Sequence, residues 1–190
     1  MLRRILAAAT GVALSALALA APAAAAEPAQ IQAAPRSITV SGGGEYASYV
    51  PQAIQIWNSR VPNIRMSQVS SGGDIRISVT SGGGSRASIG HGSGWIILDR
   101  QQINQGYSPL RVVAHEMGHS LGLRDNYNRD CNILMSGGSA GTQCRNPNPS
   151  AGEANWVNQS FAGGLRAERS GPVEWAVESW PAPAEVLPAA

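Results

Sequence analysis

Residues 115–125 read HEMGHSLGLRD, and this stretch decides the fold of the chain. His115 and His119 are four residues apart, so on a helix both imidazoles project from one face, about one turn apart. That spacing lets two ring nitrogens reach a single Zn²⁺ ion at about 2.0–2.1 Å. Glu116 adjoins the first histidine, where its carboxylate can contact a water molecule at the metal without binding the metal. The stretch therefore predicts a helix that carries a metal site with a general base beside it.

The end of the same stretch offers a third ligand. Gly122 follows the second histidine by three residues, and glycine readily adopts the left-handed conformation that ends a helix. The chain can then turn back and bring Asp125 to the metal. Three protein ligands leave a fourth position for water, which is typical of catalytic rather than structural zinc. An ordinary helix with two surface histidines is the alternative, and it does not explain the glutamate, glycine and aspartate.

The residues before the motif indicate where its helix begins. Ser108 suits the N-cap and Pro109 suits the first helical position. We therefore expect a helix over residues 109–121. Apolar residues are available to bury its other face, namely Leu110, Val113, Ala114, Met117 and Leu121.

The start of the chain predicts export. Residues 1–26 have the pattern of a signal peptide, since Arg3 and Arg4 precede an apolar stretch and an A-x-A cleavage signal ends at Ala26. A membrane anchor is the alternative, but the apolar stretch is short and alanine-rich and no stop-transfer pattern follows. We expect a secreted, extracellular protein with a short pro-segment or lead-in at 27–36.

The charge balance argues against a nucleic-acid partner. The 14 basic residues are all arginine, and without Arg3 and Arg4 the remaining 12 balance 12 acidic residues. A neutral chain without basic clusters lacks the electrostatic footprint of nucleic-acid binding. We expect a monomer that acts on protein or peptide substrates, without nucleic acid and without a membrane once the signal is removed.

Cys131 and Cys144 are the two cysteines of the chain. An even count in an exported protein predicts a disulfide, which would close a short loop just after the metal motif. Zinc binding by these thiols is the competing interpretation, but their spacing is not of the CxxC type.

The remaining pattern predicts an α+β single domain over residues 37–163. Its N-terminal part is short and mainly β with one packing helix, and the active-site helix and a C-terminal helix follow. Proline among alanine and glutamate predicts a disordered tail over 164–190. Strands are expected at 37–40, 64–69, 74–80, 86–89 and 95–98, and the two further helices at 45–58 and 151–161.

His91 is the third histidine, in the segment GHGSG at 90–94. It could compete with Asp125 as the third ligand, but it lies outside the local motif spacing. A structural or substrate-lining role is the alternative for this residue.

The motif resembles the extended zinc-binding pattern of the metzincin metallopeptidases, with aspartate in place of the usual third histidine. Together with its flanks it resembles the snapalysins, which are small secreted neutral proteases. The similarity extends over residues 37–163 and includes HGSG at 91–94, LD at 98–99, QQ at 101–102 and LMSGG at 134–138, the last framed by the two cysteines.

The resemblance implies a metzincin-like domain whose Met-turn contains Met135 as a hydrophobic floor under the metal. It implies that Tyr127 assists the transition state and that the enzyme prefers aromatic residues just after the scissile bond. The implied zinc ligands are His115, His119 and Asp125, with Glu116 as the catalytic base. A calcium site before the helix would also be implied, but Ser108 and Leu110 stand where relatives carry an acid and a threonine, so the sequence argues against Ca²⁺ there.

These features predict a zinc metalloendopeptidase that uses a metal-activated water with Glu116 as base. The strands at 86–98 would offer an edge to which an extended peptide could add. A secreted zinc-binding module without turnover is the rival from another class, and the intact glutamate argues against it. A zinc hydrolase that acts on a non-peptide bond is the third interpretation.

Overall fold

A computed structural model describes residues 34–163 and 173–177. The predicted signal peptide, residues 27–33 of the lead-in and most of the predicted tail lie outside these ranges. Within them, no helix combines the length and the apolar character needed to cross a membrane.

The described residues form strands, α-helices and two 3-10 segments. The 3-10 segments are Gly44–Tyr49 and Leu134–Ala140. The helices are α1 (Val50–Arg60), α2 (Arg100–Asn104), α3 (Pro109–Ser120) and α4 (Ala151–Ser160). The strands are β1 (Arg36–Gly42), β2 (Ile64–Gln68), β3 (Ile75–Thr80), β4 (Arg86–Ser88), β5 (Gly94–Asp99) and β6 (Trp175–Val177).

The strands build a mixed sheet in the order β2-β1-β3-β5-β4-β6. The pairs β1–β2, β1–β3 and β3–β5 are parallel, whereas β4 runs antiparallel to β5 and β6 runs antiparallel to β4. In β3, Ile75 and Ile77 are buried while Arg76 and Ser78 are exposed, as expected for a strand with one face on the core. This mixed architecture confirms the α+β prediction.

Two helices on the sheet hold the site in place. α1 packs against β2 and α3, and α3 also packs against β4 and β5. Trp57 of α1 is fully buried, and its indole Nε1 donates to the carbonyl of Ala114 in α3 at 3.0 Å. The buried indole therefore combines apolar packing with a satisfied polar group, and it fixes the two helices against each other.

The structure differs from the predicted helices at two places. The stretch predicted as one helix over 45–58 begins as the 3-10 segment Gly44–Tyr49, and the α-helix starts only at Val50. Pro51 lies in its first turn, where the missing N–H costs no hydrogen bond. The sequence also did not predict α2, a short helix whose N-cap Asp99 accepts from the Gln101 N–H at 2.9 Å.

The prediction of a disordered tail over 164–190 is wrong for Trp175–Val177, which form β6. This strand pairs with β4 in the register Ser88↔Trp175, Ala87↔Ala176 and Arg86↔Val177. Composition did not predict it, because what orders the segment is the row of backbone donors and acceptors that β4 presents on that side. The rest of the predicted tail lies outside the described residues.

Candidate active site

The chain reverses direction at the end of α3, and this brings the residues after the helix back to it. Ser108 is the N-cap and Pro109 starts the helix, as expected, although the Ser108 hydroxyl makes no capping hydrogen bond. At the other end Gly122 has φ +103°, and its N–H donates to the carbonyl of His119 at 2.8 Å. A side chain would be strained in this conformation, so glycine permits the turn that sequence reasoning assigned to it.

The turn brings three side chains together. His115 Nε2 and His119 Nε2 are 3.0 Å apart, and each lies 3.3 Å from Asp125 Oδ1. Both histidines are fully buried, and the Asp125 side chain keeps 18% of its surface exposed. The three residues could hold a metal ion, because one ligand atom from each lies within 4.8 Å of the other two.

The backbone decides which histidine nitrogens face this point. His115 Nδ1 lies 3.0 Å from the carbonyl of Leu134, and His119 Nδ1 lies 2.9 Å from the carbonyl of Leu123. A carbonyl oxygen can only accept, so in neutral rings each Nδ1 carries the proton and each Nε2 presents a lone pair. Two nitrogen lone pairs and a carboxylate oxygen therefore converge, an arrangement that a cation stabilises.

The spacing of these atoms fits a tetrahedral metal. Ligands about 2.0–2.1 Å from a tetrahedral zinc lie about 3.3 Å from one another, and the separations here are 3.0 to 3.3 Å. Two imidazoles favour zinc and similar transition metals over Mg²⁺ or Ca²⁺, which prefer oxygen ligands. The residues present fit zinc with three protein ligands.

Glu116 is fully buried in α3, directly after the first histidine. It is not one of the three residues whose ligand atoms meet. The carboxylate of Asp125 therefore lies with the histidines, whereas that of Glu116 lies outside the ligand group, as a general base would.

Met135 lies directly against the helix that carries the histidines. Its side chain is almost fully buried, and a Cβ atom on Gly118 would lie 2.7 Å from its sulfur. The carbonyl of Met135 also accepts from the N–H of Asn126 at 2.7 Å, next to Asp125. The 3-10 segment Leu134–Ala140 therefore supports both parts of the candidate metal site.

Two polar residues that the sequence did not single out hold this segment. Arg111, one turn before His115, is buried and its guanidinium donates to the carbonyls of Ile133 at 3.0 Å and Leu134 at 3.3 Å. The carboxylate of Glu153 accepts from the backbone N–H groups of Leu134 at 3.1 Å and Met135 at 2.7 Å. These contacts orient the Leu134 carbonyl that accepts a hydrogen bond from His115 Nδ1, and such outer partners commonly tune a metal site.

Only part of this arrangement could be found in the sequence. Ser150 and Glu153 form a capping box at the start of α4, a pattern that the spacing S-x-x-E predicts. No local pattern indicates that the carboxylate of Glu153 also accepts hydrogen bonds from the backbone N–H groups of Leu134 and Met135. Arg111 has no sequence signature beyond its place on the helix.

The predicted disulfide is present between Cys131 and Cys144, with their Cα atoms 5.5 Å apart. The bond brackets the Met135 segment on both sides in the chain. Both sulfurs are therefore used in the covalent link, and the alternative in which these thiols bind zinc is wrong.

Of the remaining candidates, His91 lies outside the group of three ligand residues. His91 packs against the C-terminal end of α4. Its Nε2 lies 2.9 Å from the carbonyl of Ser160, and its ring stacks on that of Phe161 with the ring centroids 4.0 Å apart. The structure thus gives His91 a packing role and leaves it outside the group formed by the other two histidines. Tyr127 is half exposed, two residues beyond Asp125 in the chain.

An ion pair lies beside the candidate site. Arg124, which precedes Asp125, binds the carboxylate of Glu174 in a two-pronged contact, with Nη2 to Oε2 at 2.8 Å. The hydrogen bonds and negative charge of Glu174 raise the pKa of Arg124 above its ordinary value. The segment before β6 is thereby tied to the loop that carries Asp125.

Comparison with known proteins finds a protein family whose sequence pattern matches most of this chain. Residues 36–164 match the family described as Streptomyces extracellular neutral proteinase (M7). The extracellular small neutral protease of Streptomyces lividans is 43% identical over 147 residues, which cover 75% of this chain and 63% of that protein. The protein of the same name from Streptomyces caespitosus is 45% identical over 128 residues, or 65% of this chain and 94% of that protein. That from Streptomyces sp. (strain C5) is 44% identical, and the alignment spans 56% of its length.

Proposed function

The chain belongs to the Streptomyces extracellular neutral proteinase (M7) family, and on that premise we propose that it is a secreted zinc metalloendopeptidase. The observation that carries the proposal is the convergence of His115 Nε2, His119 Nε2 and Asp125 Oδ1 within 3.3 Å of one another. The names of the relatives support a protease that acts outside the cell.

His115, His119 and Asp125 would hold the metal. Zinc, when bound there, would polarise the scissile carbonyl and lower the pKa of a water molecule. The carbonyls of Leu134 and Leu123 keep the proton of each histidine on Nδ1 and direct both Nε2 atoms to the same point. Backbone hydrogen bonds thus orient both imidazole rings before a metal binds.

Glu116 is the proposed general base. Its carboxylate takes a proton from the attacking water and delivers it to the nitrogen of the leaving amine. Its place in α3 directly after His115, fully buried and outside the group of three ligand residues, supports this role.

Tyr127 and Met135 have the supporting roles that the family resemblance implies. The half-exposed Tyr127 hydroxyl would donate a hydrogen bond to the oxyanion that develops on the substrate carbonyl. Met135 would form the floor of the site, which its contact with Gly118 supports.

The substrate is proposed to be an extended segment of a protein. Such a segment binds by adding a strand to a sheet, where backbone hydrogen bonds supply affinity and alternate side chains supply specificity. A preference for an aromatic residue just after the scissile bond follows from the family resemblance.

Export and processing complete the proposal. Residues 1–26 act as a signal peptide, 27–36 as a short pro-segment or lead-in, and 37–163 as the peptidase domain. The Cys131–Cys144 disulfide supports an oxidising destination, since such bonds persist outside the cytosol.

Casein digestion by the purified full chain tests this function. We expect digestion that 1,10-phenanthroline abolishes and that added Zn²⁺ restores, whereas Mg²⁺ or Ca²⁺ does not. Zinc binding without any casein cleavage would favour the binding module without turnover. Cleavage of an ester substrate alone would favour the hydrolase of non-peptide bonds.

A further inference from the structure

One side of β4 is covered by the chain itself. The short strand β6 pairs with it antiparallel, and the Ile89 N–H, just beyond β4, donates to the carbonyl of Glu174 at 2.7 Å. On its other side β4 pairs with β5. Within residues 34–163, β4 is therefore an edge strand, and the segment 174–177 is what closes that edge.

This covered edge lies next to the candidate metal site. The turn that follows β4 contacts the end of α3, because the Gly90 N–H donates to the carbonyl of His119 at 3.0 Å. On the other strand, Glu174 binds Arg124, the neighbour of Asp125 in the chain. One end of the β4–β6 pair is thus tied to both the second histidine and the loop of the third ligand.

An extended peptide substrate could bind to this edge as an added strand. Strand addition requires a sheet edge with free backbone donors and acceptors close to the reacting centre. Without β6 the β4 edge would meet both conditions, and β6 uses the hydrogen-bonding groups of this edge in the way that an added peptide strand would.

We propose that residues 174–177 hold the substrate position on β4 in competition with protein substrates, so that the enzyme is restrained until this segment leaves the edge. The proposal rests on the peptidase function proposed above. The segment acts as a non-covalent competitive inhibitor within the same chain, and its local concentration is high because it is joined to that chain.

The contacts of β6 are suited to exchange. The strand has three residues, and Val177 and Trp175 are largely exposed while Ala176 is buried. The ion pair between Arg124 and Glu174 has exposed partners, and exposed pairs stabilise weakly and are screened by salt. A substrate with more backbone contacts can therefore displace the segment.

The register supplies a matched pair of variants. Hydrogen-bonded and non-hydrogen-bonded pairs alternate along an antiparallel ladder. The Ile89 to Glu174 bond places Ala176 opposite Ala87 in a hydrogen-bonded pair and leaves Val177 opposite Arg86 in a non-bonded pair. Proline lacks the N–H, so Ala176→Pro should release β6, whereas Val177→Pro removes an N–H that points away from β4.

Two measurements on the zinc-loaded full chains test the proposal. The first is hydrogen exchange of the Ile89 amide, which should become faster in Ala176→Pro and stay slow in Val177→Pro. The second is the kinetics of casein cleavage. In Ala176→Pro, KM should fall several-fold with kcat little changed, because the fraction of enzyme molecules whose β4 edge is open to substrate rises. The synthetic peptide PVEWAVES, which copies residues 172–179, should inhibit Ala176→Pro competitively and restore the protection of Ile89.

The outcomes separate this proposal from the peptidase function. Equal KM values in all three proteins, with faster Ile89 exchange in Ala176→Pro, would overturn the restraint while leaving the peptidase intact. Unchanged Ile89 exchange in that variant would overturn it as well, because the segment then does not protect the edge. Failure of every protein to cleave casein would instead remove the peptidase function, and the exchange data would still show whether β6 covers β4.

Discussion

Gly118 and Met135 approach so closely that a Cβ atom on Gly118 would lie 2.7 Å from the Met135 sulfur. Met135 is almost fully buried, so its sulfur has little room to move away. The absence of a side chain at Gly118 therefore lets α3 pack directly against the segment whose Leu134 carbonyl accepts a hydrogen bond from His115.

Gly118→Ala should lower the free energy of unfolding by about 1 kcal/mol, because overpacking in a filled core outweighs the better helix propensity of alanine. Urea denaturation measures this change. Gly152→Ala in α4 is the matched control, since the nearest atom to its added Cβ is Ser150 Oγ at 4.0 Å. The control should gain up to about 1 kcal/mol. Similar gains in both variants would show that Met135 yields without cost.

Glu116→Gln should retain the fold and bound zinc but lose about 10²–10⁴-fold in kcat for casein cleavage, since the amide cannot accept the water proton. Zinc content by atomic absorption and the circular dichroism spectrum serve as controls. Undiminished kcat in a folded, zinc-loaded variant would remove Glu116 from the role of base.

Asp125→Ala should reduce zinc affinity far more than His91→Ala. Asp125 Oδ1 lies 3.3 Å from both histidine Nε2 atoms, whereas His91 binds the Ser160 carbonyl and stacks on Phe161. His91→Ala should instead lower thermal stability through the lost packing. Metal content after dialysis against a weak chelator decides between them, and greater zinc loss in His91→Ala would reverse the assignment.

Reduction of the Cys131–Cys144 bond should destabilise the protein by about 3 kcal/mol or less, the loop-entropy value for a closed loop of this size. Activity should fall with stability, because the bond brackets Met135 and a loose segment lets the ligand geometry drift. Cys131→Ser/Cys144→Ser gives the same comparison without a reductant that could bind zinc. Unchanged activity in the double variant would show that Arg111 and Glu153 hold the segment unaided.

The ion pair between Glu45 and Arg100 should make a small, acid-sensitive contribution to stability. Arg100 Nη2 donates to Glu45 Oε2 at 2.7 Å, and this hydrogen bond, together with the positive charge of Arg100, lowers the pKa of Glu45 from its ordinary value. A lowered folded-state pKa stabilises the fold above the unfolded-state pKa, and the stabilisation is lost as the pH falls through the folded-state value. Glu45→Gln should therefore melt below the wild type at pH 7, and the two should converge in strong acid. A difference in melting temperature that persists in acid would contradict this origin.

Local spacing determined much of the candidate site. The three ligand residues lie within eleven positions, so one helical turn and one glycine reversal are enough to bring them together. The helix start at Pro109 and the disulfide likewise follow from residues close in the chain. For such features the backbone geometry of a short segment leaves few alternatives.

The tertiary structure alone decided which partners orient that site. The carbonyl of Leu134 that contacts His115 belongs to a segment that Arg111 and Glu153 hold through hydrogen bonds from elsewhere in the chain. The pairing of β6 with β4 joins residues almost ninety positions apart, and it depends on an unsatisfied strand edge that exists only after the sheet has formed. Contacts between residues so far apart leave no periodic pattern in the sequence. The sequence therefore predicted the candidate metal ligands, whereas only the fold showed that Arg111 and Glu153 hold the segment beside them and that β6 pairs with β4.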